Sequence, residues 1–158
     1  MAGLSATLSI AMATKPSSPP ARSARRSARN DELRPIGVIR SQLKTRSGAP
    51  KQGSEGAPDA WLEVRRWAAA GLRGLEAGDQ LIVITWLHQA RRGVLQVHPR
   101  GNPRYPLMGV FATRSPDRPN PLGLHPVVVR AVRGNRLRIG PIEAIDKTPV
   151  VDIKPQLR

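Results

Sequence analysis

From Pro35 onward the apolar residues come in short runs, each cut off by glycine or proline, with none of the strand–helix alternation of a parallel sheet. Pro35–Ser41, Ala60–Val64, Gln80–His88, Val94–His98, Met108–Ala112, Leu124–Val132, Arg136–Ile139 and Thr148–Ile153 each have the length and β-branched character of a strand. Gln80–His88 (QLIVITWLH) is the strongest of them and, being nearly continuous, reads as central and buried on both faces. Gly134-Asn135 reads as a hairpin turn. Only Arg65–Gly71, with its Ala-Ala-Ala, suggests a turn or two of helix. Seven or eight short strands with one or two small helices predict a mainly β protein, a single compact β-barrel over 35–158, because closure removes exposed edge strands. A Gly-x-Gly-x-x-Gly turn and a P-loop are both absent.

Met108–Leu124 (MGVFATRSPDRPNPLGL) is the most organised segment. Its first five residues read as a buried strand. Pro116, Pro119 and Pro121 then forbid helix and leave a stiff loop bearing Arg114 and Arg118. A stiff loop holds a guanidinium fork in place at low entropic cost, which suits a binding site. A solvated crossover stapled by prolines is the other reading. Gln42–Asp59 is a long loop rich in Gly, Pro, Lys and Ser, a length that points to function or disorder.

Of 158 residues, 26 are Lys or Arg and 11 are Asp or Glu, a net charge of +15. The first 34 residues hold six basic and two acidic side chains, so twenty basic and nine acidic ones remain for the domain. A domain this basic is expected to meet a polyanion, most often a nucleic acid. With five aromatic residues in all, a broad base-stacking platform is not expected. The absence of cysteine excludes disulfides and thiolate chemistry, and His88, His98 and His125 form no ligand pair, so no metal site is expected. No apolar run has the length of a membrane span. Residues 1–34 read as a disordered basic extension or an over-long start, and the protein as cytoplasmic. A mitochondrial transit peptide is the alternative for this Arg-, Ser- and Ala-rich stretch.

Gly109–Gly123 (GVFATRSPDRPNPLG) followed by Asp146–Pro155 (DKTPVVDIKP) resembles the TsaA-like domain, also called the YaeB or TrmO family. Ile36–Ser41 (IGVIRS), Pro50-Lys-Gln52 and Leu72–Glu76 (LRGLE) fit the same pattern in the same order. The resemblance implies a β-barrel, a homodimer, and S-adenosylmethionine bound near the subunit interface. It also implies methylation of the exocyclic nitrogen of threonylcarbamoyladenosine beside the anticodon of tRNA. Carried over by position, the cofactor contacts fall on Gln52, Gly53, Leu87, His88, Arg114, Leu124, Gly140, Pro141, Ile142 and Glu143.

The implied chemistry requires mainly in-line positioning and loss of a proton from the attacking nitrogen. Asp146 and Asp152 are the candidate bases, and Lys154 a group to bias their charge or hold the threonyl carboxylate. A turn cap at Asp146 and a strand-end ion pair between Asp152 and Lys154 are the structural alternatives. Lys51, Arg104 and Arg118 are the candidate RNA contacts; Arg91-Arg92 and the Arg130–Arg138 cluster fit a solvated face equally well. The sequence departs from the family pattern at Lys51 (Arg is usual), Asp117 (uncharged or aromatic), His125 (Ser), Glu143 (Asp) and Lys147 (Gly). Two other functions fit the residues. One is a methyltransferase for another nucleotide or small molecule, the other a non-catalytic basic barrel that binds RNA.

Overall fold

A computed structural model describes residues 32–157. The extension expected over 1–34 lies almost wholly outside the described residues. Six antiparallel strands close into a barrel. They are β1 (Gly37–Arg40), β2 (Ala60–Val64), β3 (Gln80–Trp86), β6 (Leu122–Arg133), β7 (Arg136–Gly140) and β8 (Pro149–Pro155). Around the barrel the order is β1-β2-β7-β6-β3-β8, with β8 returning to β1. The remaining strands, β4 (Gln96–Val97) and β5 (Met108–Gly109), pair only with each other.

Alternation decides what fills the barrel. On β2, Ala60, Leu62 and Val64 point in; on β7, Leu137 and Ile139; on β3, Leu81, Val83 and Thr85. With Ile39, Val127, Val129 and Val150 the aliphatic ones among these form one core, each fully buried aliphatic contributing about 1.5–3 kcal/mol. A 3-10 helix, Arg66–Leu72, closes one end by burying Leu72. The segment after β7 closes the other with Ile142 and Ala144.

Three expectations change. Gln80–Trp86 is buried on one face only, because every strand of an antiparallel barrel has an inner and an outer side. Val94–His98 shrinks to two paired residues. Met108–Ala112 is not a buried strand: pairing stops at Gly109, Val110–Ala112 turns once as 3-10 helix, and Phe111 is 80% exposed. The Gln42–Asp59 loop carries no regular element, yet side chains tie it to the domain. Lys44 Nζ donates to Asp146, Arg46 to Asp117 and to the Gln89 carbonyl. Lys147 stands at φ 65°, a left-handed backbone that favours glycine. Among the described residues no helix is long and apolar enough to cross a membrane.

Candidate functional site

At the end of the barrel where β1, β3 and β7 finish, several of the expected cofactor residues lie together. Gly53 sits under the turn after β7, where a Cβ would come within 2.9 Å of the Pro141 carbonyl oxygen and 3.3 Å of Glu143 Oε2. Only glycine lets the first loop approach so closely. Gly140 lies against Asp59, and the buried Ile142 donates its N–H to the Pro58 carbonyl at 3.0 Å, which anchors the turn. Arg114 donates to the Leu124 carbonyl at 3.0 Å, and its charge reaches Glu143. Leu87 donates its N–H to the Pro121 carbonyl at 2.8 Å and its side chain reaches Gly123. His88, Gln52 and Leu124 are exposed on the surrounding loops and strand end.

Behind Glu143 stands a buried polar chain that local sequence reasoning missed. His125 Nδ1–H donates to Glu143 Oε1 at 2.9 Å, and His125 Nε2 lies 2.8 Å from the Thr85 hydroxyl. A carboxylate only accepts, so the first bond places a proton on Nδ1 and leaves the Thr85 hydroxyl to complete the ring's bonding. Thr85 is 0% exposed and His125 3%. Burial opposes ionisation of Glu143, but the His125 hydrogen bond, the field of that ring and the Arg114 guanidinium outweigh it, and the carboxyl sits below its ordinary range. His125 and Glu143, two departures from the family pattern, are thus partners. Period-two counting gave a clue: His125 shares its inward parity with Gly123 and Val127 on β6.

The three candidate catalytic groups are each engaged in bonds of their own. Asp146 accepts from the Ser41 N–H at 3.0 Å and from Lys44 Nζ at 2.9 Å. The Lys44 bond, against a smaller burial effect, holds its carboxyl low, which disfavours it as a base at neutral pH. Asp152 pairs with Lys154 at 3.0 Å on β8. Its register partner is Ile84, whose other neighbour is Leu124, so Asp152 is two strand spacings, about 10 Å, from Leu124.

Among the expected RNA contacts, Lys51 and Arg104 are exposed. Arg118 differs. Its guanidinium turns inward to three backbone carbonyls, Ser115 at 2.8 Å, Val110 at 2.9 Å and Thr113 at 2.6 Å, and so fixes the loop's shape.

The same loop holds Asp117, 7% exposed, which gathers Arg46 at 2.9 Å, the Arg91 N–H at 2.9 Å and Arg91 Nε at 3.0 Å. Burial raises its carboxyl's pKa, but these donors together pull it below the ordinary 3.8. A depressed folded-state pKa means stabilisation that is present above the unfolded value and lost as pH falls through the folded one. Asp117→Asn is expected to cost about 1–2 kcal/mol at pH 7, since the anion that gathers two partly exposed arginines is lost. Denaturant titrations from pH 7 to 3 should show that difference shrinking in acid. A difference independent of pH would contradict the assignment. Among the described residues no three His, Cys, Asp or Glu side chains group to hold a metal.

Residues 38–158 match the family described as the tRNA-methyltransferase O N-terminal domain. A "Probable S-adenosyl-L-methionine-binding protein" of Methanothermobacter thermautotrophicus is 43% identical over 123 residues, covering 78% of this chain and 88% of that protein. An "S-adenosyl-L-methionine-binding protein" of Archaeoglobus fulgidus is 41% identical over 122 residues, 77% of this chain and 86% of its own. The crystal structure of TrmO from Pseudomonas aeruginosa superposes with a TM-score of 0.64 at 30% identity over 80% of this chain, which spans 55% of that one. A barrel of the same topology, a match over most of the length and relatives at this identity agree: the chain belongs to the tRNA-methyltransferase O N-terminal domain family.

Proposed function

We propose that this protein is an S-adenosylmethionine-dependent methyltransferase acting on tRNA, with the N6 of threonylcarbamoyladenosine beside the anticodon as the methyl acceptor. The observation that carries the reading is the meeting of Gly53, Pro141, Glu143, Arg114 and Leu124 at one barrel mouth. The donor set fits the cofactor. Glu143 supplies an anion for an ammonium or a ribose hydroxyl, Arg114 a cation for a carboxylate, and the Gly53 cradle a close approach to backbone. Once bound, S-adenosylmethionine brings an activated sulfonium methyl. The chain's own residues then bind and orient: Glu143 is held ionised by His125, Arg114 is steadied on Leu124, and the loop that carries Arg114 is shaped by Arg118 and Asp117.

Homodimerisation belongs to the same proposal. The outer face of β3 and β6 is apolar, with Ile82, Ile84 and Trp86 beside Leu122, 40% exposed, and Leu124, 50% exposed. A second subunit covering it would bury Leu124 at the edge of the site. The test is transfer of labelled methyl from S-adenosylmethionine to tRNA, followed by nucleoside analysis. Label on the modified adenosine is the expected result. Label on another nucleoside would keep the enzyme class and discard the acceptor. No label on any RNA, from protein that binds the cofactor, would discard tRNA as substrate.

A further inference from the structure

The outer wall formed by β1, β2, β7 and the end of β6 is strongly cationic. Arg40 pairs across the sheet with Trp61, Trp61 with Arg138, and Glu63 with Arg136, which in turn pairs with Arg133. These residues share the outer face, because Leu62, Leu137 and Ile139 between them point inward. A bulge between Val129 and Ala131 sets Arg130 opposite no partner, and bulges re-aim side chains in this way. The guanidinium of Arg130 reaches Asp59 at 3.6 Å, as that of Arg138 does at 3.5 Å. Beyond β2, Arg65 and Arg66 line a cleft of about 320 Å³ together with Arg40, Glu63 and Asn135. Seven arginines thus meet two carboxylates, a local excess of five positive charges.

Three features set this wall apart from a surface charged only for solubility. All seven cations are arginine and none lysine, the choice that suits bidentate phosphate contacts. Arg133 and Arg136 both crowd onto the Trp61 ring, 5.7 and 5.3 Å from its centroid. Among the described residues neither has a carboxylate within 4.0 Å. Glu63, the neighbour of Arg136 across the sheet, pairs with Arg40 instead; like charges held this close repel, and a bound polyanion relieves them. The wall also runs lengthwise. Asp59, Arg130 and Arg138 stand near the mouth that holds Gly140 and Glu143, while Arg133, Arg136, Arg65 and Arg66 lie at the far end.

We infer that this arginine wall binds the phosphate backbone of RNA, as a track that leads away from the candidate site along the outside of the barrel. The inference rests on tRNA being the substrate but concerns a surface separate from the cofactor residues. Trp61 acts as the platform that keeps Arg133 and Arg136 extended toward the strand of phosphates.

Binding of unfractionated tRNA is to be measured by anisotropy from about 50 to 300 mM salt, the range over which phosphate contacts are read, for the wild type and Arg133→Gln/Arg136→Gln. The double variant should bind about tenfold more weakly and lower the slope of log K against log salt by about 2, about one per lost phosphate contact. Its affinity for S-adenosylmethionine should not change. If that variant fails to fold, Arg65→Gln/Arg66→Gln gives the same reading from the cleft. Unchanged affinity and slope would overturn the inference and leave tRNA as the substrate. A lost slope in a protein that methylates no tRNA would keep the wall and discard the substrate. Binding of phosphatidylserine vesicles without any binding of tRNA would assign the wall to a membrane surface and overturn the inference.

Discussion

Gly123→Ala is expected to destabilise the protein by about 3–5 kcal/mol, because a buried overlap and the loss of buried hydrogen bonds act together. A Cβ at position 123 would stand 2.5 Å from both His125 Nε2 and Thr85 Oγ1, the two atoms that are hydrogen-bonded to each other. Neither is the free end of a flexible chain: Thr85 is 0% exposed and His125 3%. Relief therefore means parting the pair, and two polar groups inside the barrel then lack partners. Set against a usual stability of about 5–15 kcal/mol, such a loss would bring the thermal midpoint down by roughly ten degrees or more. Chemical denaturation of the two proteins measures it. A change below about 1 kcal/mol would show that the barrel end yields easily and that the Thr85–His125–Glu143 chain is not held as described.

Glu143→Gln separates charge from shape. The amide oxygen can still accept from His125 Nδ1–H, which keeps the 2.9 Å contact, while the anion facing Arg114 disappears. Affinity for S-adenosylmethionine should fall tenfold or more, a loss of at least about 1.4 kcal/mol, with little change in folding stability. The wild type adds a pH signature. With its folded-state pKa lowered below the ordinary 4.5, Glu143 stays ionised through mild acid, so its contribution is present above that value and fades only as pH falls through the lowered one. Cofactor affinity should accordingly hold from pH 7 to about 5. A variant that binds as tightly as the wild type would remove Glu143 from the site.

Much of the barrel is legible in the sequence because period-two alternation and β-branched runs survive in each strand. Ala60–Val64 and Arg136–Gly140 show it best: their inward residues are aliphatic and their outward ones mostly charged or aromatic. Met108–Ala112 misled because apolar composition alone does not tell a buried strand from an exposed turn, and Phe111 points into solvent. The inward turn of Arg118 was hidden for another reason. Which way a guanidinium turns depends on how the 3-10 turn at Val110–Ala112 and the loop after it aim three nearby carbonyls, a conformation that residue types alone do not specify. Asp117 and Arg46 are separated by 71 positions, and His125 and Glu143 by 18 with a hairpin between them. Such pairs exist only once the barrel has closed. The arginine wall was visible as a cluster from Arg130 to Arg138, but only the bulge at Arg130 and the pairing with β1 and β2 show that it is one surface.

The most direct test of the central claim is calorimetric titration of the protein with S-adenosylmethionine, repeated on Arg114→Ala. Saturable binding by the wild type, weakened at least tenfold in the variant (about 1.4 kcal/mol), is the predicted result. Failure of the folded wild-type protein to bind the cofactor would contradict the account.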